Sequence, residues 1–190
     1  MPKNVFKIIL AVTLLLVGVY LLLPSPSVPP PLPDSLKSTE PGDTVEIPGL
    51  FAYYTNLSRG EVIAFYQKHY SKSRFLGIPL ITYRLNYPPE YVDWAIRDTI
   101  HTSYLEEIIH LLRESFYING YEPVNDPFVK PSDRQAGFEI DGQNFTAKVT
   151  VAPKKSNPIL RIVVFGGIIL ALVFLVWEVK KPSGSFRNRR

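Results

Sequence analysis

Two long apolar runs near the ends of the chain constrain it more than anything between them. Ile159–Trp177 reads Ile-Leu-Arg-Ile-Val-Val-Phe-Gly-Gly-Ile-Ile-Leu-Ala-Leu-Val-Phe-Leu-Val-Trp. At a rise of about 1.5 Å per residue, a helix of this length covers about 28 Å, close to a bilayer hydrocarbon core of about 30 Å. Arg161 is its only charge and lies at one end, where a long side chain can snorkel to the interface. Trp177 closes the other end, at the depth an indole ring prefers. Val5–Leu23 repeats the plan, with Lys7 near its start and Tyr20 near its end. A helix buried in a soluble core normally carries a polar stripe, and neither run has one.

We therefore read residues 1–23 as a transmembrane anchor and 159–177 as a transmembrane helix. The first run is read as an uncleaved anchor. Its uncharged stretch Ile8–Leu23 is longer than the roughly 7–15 apolar residues of a signal peptide. Gly166-Gly167 would allow close helix approach, to Gly18 of the first run or to another copy of the chain.

The formal net charge of +4 divides unevenly. Residues 24–158 hold thirteen basic against sixteen acidic side chains, so the excess positive charge belongs to the two flanks. A nucleic-acid-binding domain carries its positive charge on the folded part, so no nucleic-acid partner is expected. Lys3 and Lys7 at one end, and Lys180, Lys181, Arg187, Arg189 and Arg190 at the other, place both termini in the cytoplasm. The chain then reads as an integral protein of the plasma (inner) membrane, with the lipid bilayer as partner, the central domain outside and a basic cytoplasmic tail at 178–190. Lys154, Lys155 and Arg161 oppose that orientation, but the intervening segment is longer than the loops the rule governs. The absence of cysteine removes disulfides, cysteine-based zinc sites and a thiol nucleophile, and no cofactor is expected.

Residues 24–33 contain six prolines, favour an extended polyproline conformation, and suggest a spacer over 24–43. The folded part is expected over 44–158. Thr44–Ile47 and Leu50–Thr55 suggest short strands. Ser58 and Glu61 form a capping box that starts a helix running to about Ser71. Ile78–Tyr87 is rich in strand formers, and Pro88-Pro89 opens a helix over about Glu90–Ile100.

Ser103 and Glu106 suggest a second capping box. It would start a third helix whose apolar face is Leu105, Ile108, Ile109, Leu112 and Phe116, stopped at Asn119-Gly120. Asp141-Gly142 marks a hairpin whose return strand is Phe145–Val151. The order predicts an α+β fold: a small antiparallel sheet with about three helices on one face, between two transmembrane helices.

On the predicted third helix, Glu107 and His110 have Glu-x-x-His spacing, and Glu114 extends the stripe toward a surface metal site. A solvated helix face explains the same pattern. His101, Glu107 and His110 are the candidate catalytic residues, although no recognised catalytic motif accompanies them. Tyr87, Tyr91 and Trp94, beside the double proline, are the candidate binding residues, since such aromatics suit interfaces. Three functions follow. The first is a non-enzymatic domain that binds or scaffolds partners at the cell envelope, through a protein partner or self-association. The alternatives are a membrane-anchored hydrolase and a sensor that depends on a partner for output.

Overall fold

The structure, a computed structural model, describes residues 2–26, 28–43, 48–96 and 101–180. The strand expected at Thr44–Ile47, the end of the helix expected to reach Ile100, and most of the basic tail lie outside the described residues. Two compact units divide the chain: Met1–Pro24 with Ser156–Arg190, and Ser25–Lys155.

The first unit is a pair of helices, α1 (Lys3–Leu22) and α4 (Pro158–Lys180). Both are long and apolar enough to cross a membrane. Arg161, expected to reach outward, is instead 7 % exposed. Its Nη1 donates to the carbonyls of Leu21 and Leu23 at 3.1 and 3.4 Å, while Nε and Nη2 donate to Ser156. The last carbonyls of a helix lack intrahelical donors and sit at the negative end of its dipole, so a guanidinium there satisfies both needs. Within this chain the close approach is not at Gly166-Gly167. A Cβ on Gly18 would lie 3.7 Å from the Phe165 ring, whereas Gly166 and Gly167 have nothing within 4 Å.

The second unit is α+β. Its six-stranded antiparallel sheet runs in the order β1 (Leu36–Lys37), β2 (Phe51–Thr55), β10 (Ala147–Lys154), β7 (Glu114–Tyr121), β6 (Tyr104–His110) and β5 (Thr82–Tyr87). Helix α2 (Arg59–Tyr70) starts at the expected capping box, with Ser58 N–H donating to Glu61 at 2.9 Å. It lays Val62, Tyr66 and Tyr70 on one face of the sheet, against Tyr53, Ile108, Phe116, Ile118, Val149 and Val151.

Alternate residues point to the other face. There α3 (Val92–Ala95) packs Val92, Ala95 and the following Ile96 on Leu105, Tyr117 and Ala152. The hairpin of β8 (Phe138–Ile140) and β9 (Gln143–Phe145) turns at Asp141-Gly142 as expected, and sets Phe138 on Tyr54 and Tyr121. Its return strand is β9 rather than the expected Phe145–Val151, most of which lies in β10 and pairs with β2 and β7. The helices thus lie on opposite faces, and both faces are covered. The proline-rich segment contributes to this unit as well: Leu32 is 3 % exposed in the core, and Leu36–Lys37 form an edge strand.

Three further local expectations are corrected. The helix expected from the Ser103 cap to its stop at Asn119-Gly120 is instead the hairpin β6–β7. The described part of the helix expected over about Glu90–Ile100 is a 3-10 turn, Pro89–Tyr91, followed by the single turn of α3. The strand expected over Ile78–Tyr87 is split between β5 and the small hairpin of β3 (Arg74–Phe75) and β4 (Ile78–Pro79).

The sheet buries many tyrosines, with a consequence for alkaline stability. Burial, then Glu40, pushes the Tyr54 phenol up to about 12; burial, then Glu107, does the same for Tyr87. Burial also raises Tyr66, Tyr104 and Tyr117. A folded-state pKa raised above the unfolded value of 10 gives stability that is complete below pH 10 and lost as pH rises through about 12. Alkaline titration should therefore show tyrosinate absorbance rising cooperatively with loss of circular dichroism in that window. Independent titration of all tyrosines near pH 10, with the fold retained, would contradict it.

Candidate functional site

The correction at 104–121 changes what its polar residues can do. Residues three apart on a strand point to opposite faces. Glu107 therefore faces α3, where the Tyr87 hydroxyl donates to it at 2.6 Å. His110 faces α2, where the Tyr70 ring stacks on it with centroids 4.2 Å apart. The two cannot ligate one metal ion, and the stripe of Glu107, His110 and Glu114 does not exist. Among the described residues, no group of three or more His, Asp or Glu side chains is placed to hold a metal.

His110 and Glu114 do meet, for a different reason. They are directly opposite in the β6–β7 register, on one face. His110 Nδ1 lies 2.9 Å from Glu114 Oε1, and Arg113 Nη2 lies 3.1 Å from the same oxygen. Ser25 donates its hydroxyl to Glu114 Oε2 at 3.0 Å. All three ionisable residues are buried, and the Tyr70 ring covers His110. A sealed cluster of this kind holds the turn together and offers no access to a substrate.

Glu106 is similarly committed. At 1 % exposure it accepts from Arg59 through both Nε and Nη2, and Arg84 Nε lies 3.6 Å away. Arg59 also lies over the Tyr104 ring and donates to Asn86, which pins the start of α2 to β5 and β6.

Two accessible features among the described residues involve the side chains singled out above, both on the α3 face. The first is a cavity of about 230 Å³ whose lining includes His101, Asn119, Tyr121, Lys148 and Thr150. Burial disfavours the charge on Lys148, yet its bonds to Asp43 and Glu40, both at 2.7 Å, hold its pKa above the ordinary lysine value. The Glu40 carboxyl is held down, chiefly by the hydrogen bond from Lys148. His101 stacks on Tyr121 and places Nδ1 3.9 Å from the buried Asp126. No hydroxyl group hydrogen-bonds its ring among the described residues.

Sequence reasoning singled out His101 but missed Asn119, Asp126 and Lys148. Asn119 reads as part of a helix stop, Asp126 lies in a proline-rich loop, and Lys148 reaches the cavity only through the register that pairs it with Tyr121 and Tyr54.

The second feature is the helical turn 89–95. Val92 and Ala95 face the core, and the intervening spacing turns Tyr91 and Trp94 outward at 55 % and 74 % exposure. Glu90 and Asp93 are exposed beside them. Tyr87, the third residue expected there, is half-buried against this core and bonded to Glu107, so it supports the turn from below. No family model, no curated protein and no solved structure matches the chain.

Proposed function

We propose that the chain is a two-span membrane protein with both termini cytoplasmic, whose α+β domain stands outside the plasma membrane and binds a protein partner through Tyr91 and Trp94. The carrying observation is the outward placement of these two aromatics on a turn whose other side is locked into the core. A rigid, exposed indole loses little conformational entropy on binding and contributes heavily to interfaces. Glu90 and Asp93 beside it suit a partner segment that is apolar and basic. The role is non-enzymatic on this reading, since His110 is sealed, Glu107 faces away from it, and no hydroxyl among the described residues hydrogen-bonds the His101 ring.

One observation favours a second reading, a membrane-anchored hydrolase. The cavity beside His101 is polar, and Asn119 Oδ1 is buried there without a hydrogen-bond partner among the described residues.

The first reading is tested with a photo-crosslinking residue at position 94 in intact membranes, and a second at Val124, which is 51 % exposed elsewhere on the domain. A discrete adduct is expected from position 94 alone. Trp94→Ala should weaken the recovered complex by about 2 kcal/mol, roughly thirty-fold in affinity. Identical crosslinking from both positions, or none from either, would remove the reading.

A further inference from the structure

The end of the domain at which β6 turns into β7 differs from the rest of its surface. Both ends of the domain's chain leave it there. Ser25 is bonded to Glu114, the first residue of β7, and Lys154, the last residue of β10, lies opposite Ser115. The segment 71–81 is rooted at the same end. It departs from Tyr70, which stacks on His110, and returns at Thr82, which pairs with His110.

Large aliphatic side chains stand exposed along these segments. Leu111 and Leu112, at the turn itself, are 55 % and 70 % exposed; Leu76, Ile78 and Ile81 are 74 %, 68 % and 72 % exposed. Two of them occupy strained positions. Leu112 has φ +61° and Leu76 has φ +50°, in the left-handed region where glycine or asparagine is the unstrained choice. Leu76-Gly77 closes the β3–β4 hairpin, where Asn-Gly is the usual pair. Nothing in the fold requires an exposed leucine at either turn tip. Keeping one there costs backbone strain, which points to a role outside the fold.

The charge is equally distinctive. Residues 68–81 carry Lys68, Lys72 and Arg74, residues 153–158 carry Lys154 and Lys155, and neither stretch contains an acidic residue. The only carboxylate at the turn, Glu114, is buried. Yet the domain as a whole is more acidic than basic. Separate aliphatic prongs beside these two basic stretches match an anionic headgroup layer. Basic side chains gain there from the surface potential, and apolar tips enter the interface.

We propose that this end of the domain docks on the surface of a lipid bilayer bearing anionic headgroups, with Leu112 and Leu76 entering the interface. The proposal rests on the reading of α1 and α4 as membrane spans. It also gives Lys154 and Lys155 a role that their contribution to topology does not.

The native chain has no cysteine, so single introduced thiols report unambiguously. Full-length Leu112→Cys, Leu76→Cys, Val124→Cys and Leu170→Cys chains would each carry an environment-sensitive fluorophore in vesicles of phosphatidylcholine and phosphatidylglycerol. The probes at 112 and 76 are expected to show blue-shifted emission, to lose most of it to lipids nitroxide-labelled near the headgroup, and to resist aqueous iodide. The probe at 124 should respond to iodide alone, and the probe at 170 to deep nitroxides. Iodide quenching at 112 equal to that at 124, with 170 still reached by deep nitroxides, overturns the docking while leaving the spans intact. Shielding of 112 from both quenchers indicates a second copy or a protein partner, and likewise overturns it. A probe at 170 untouched by deep nitroxides removes the spans and the docking together.

Discussion

Glu114→Ala is expected to destabilise the domain by about 3–5 kcal/mol, the usual cost of removing one member of a buried charge pair. Glu114 supplies the carboxylate that both His110 and Arg113 face, and Arg113 is only 4 % exposed. Alanine takes away the counter-charge without giving the guanidinium a route to water. The same change removes the acceptor for Ser25 and loosens a turn that already holds Leu112 at positive φ. Unfolding of the purified full chain in detergent, followed by circular dichroism against urea, reads the loss. Glu114→Gln keeps the shape and an acceptor and should cost clearly less. A loss below about 1 kcal/mol for alanine would mean that the cluster behaves as a solvated surface pair.

That cluster also explains which parts of the domain the sequence concealed. Where burial and periodicity agree, the expectation holds: the Ser58–Glu61 cap, the Asp141-Gly142 hairpin and the alternating run of β10 are each found. The β6–β7 hairpin fails because both of its faces are covered and its polar positions are buried as ion pairs. Glu106 sits inside with Arg59, and His110 with Glu114, so the polar-outside alternation that marks a half-buried strand is absent. The turn at Leu111-Leu112 carries none of the usual turn residues, so nothing interrupts the apparent helical spacing of Leu105, Ile108, Ile109 and Leu112.

The candidate sites share this limit. The exposure of Trp94 and Tyr91 was legible, because an i, i+3 aromatic pair after a double proline presents one side of a helical turn. The cavity beside His101 was not, since residues from β7, β10 and the segment 40–43 meet only through pairing across the sheet.

Gly120 was misread for the same reason. Asn-Gly after an apolar stretch suggests a helix stop, yet Gly120 lies within β7, opposite Tyr104 on one side and Val149 on the other. A Cβ there would clash with Cζ and Cε1 of the Tyr104 ring. The ring covers the glycine and cannot step aside cheaply: Tyr104 is 3 % exposed, and the Arg59 guanidinium that binds Glu106 lies 5.0 Å from its centre. Gly120→Ala is therefore expected to cost about 3 kcal/mol, at the upper end of overpacking changes. Tyr104→Ala alone leaves a cavity and should cost about 3–5 kcal/mol. With the ring gone, the new methyl group has room, so the double variant should be less destabilised than the sum of the singles by at least about 1 kcal/mol. Strict additivity in urea unfolding would mean that the ring and the glycine are not in contact in solution, and that the β6–β7 register is different.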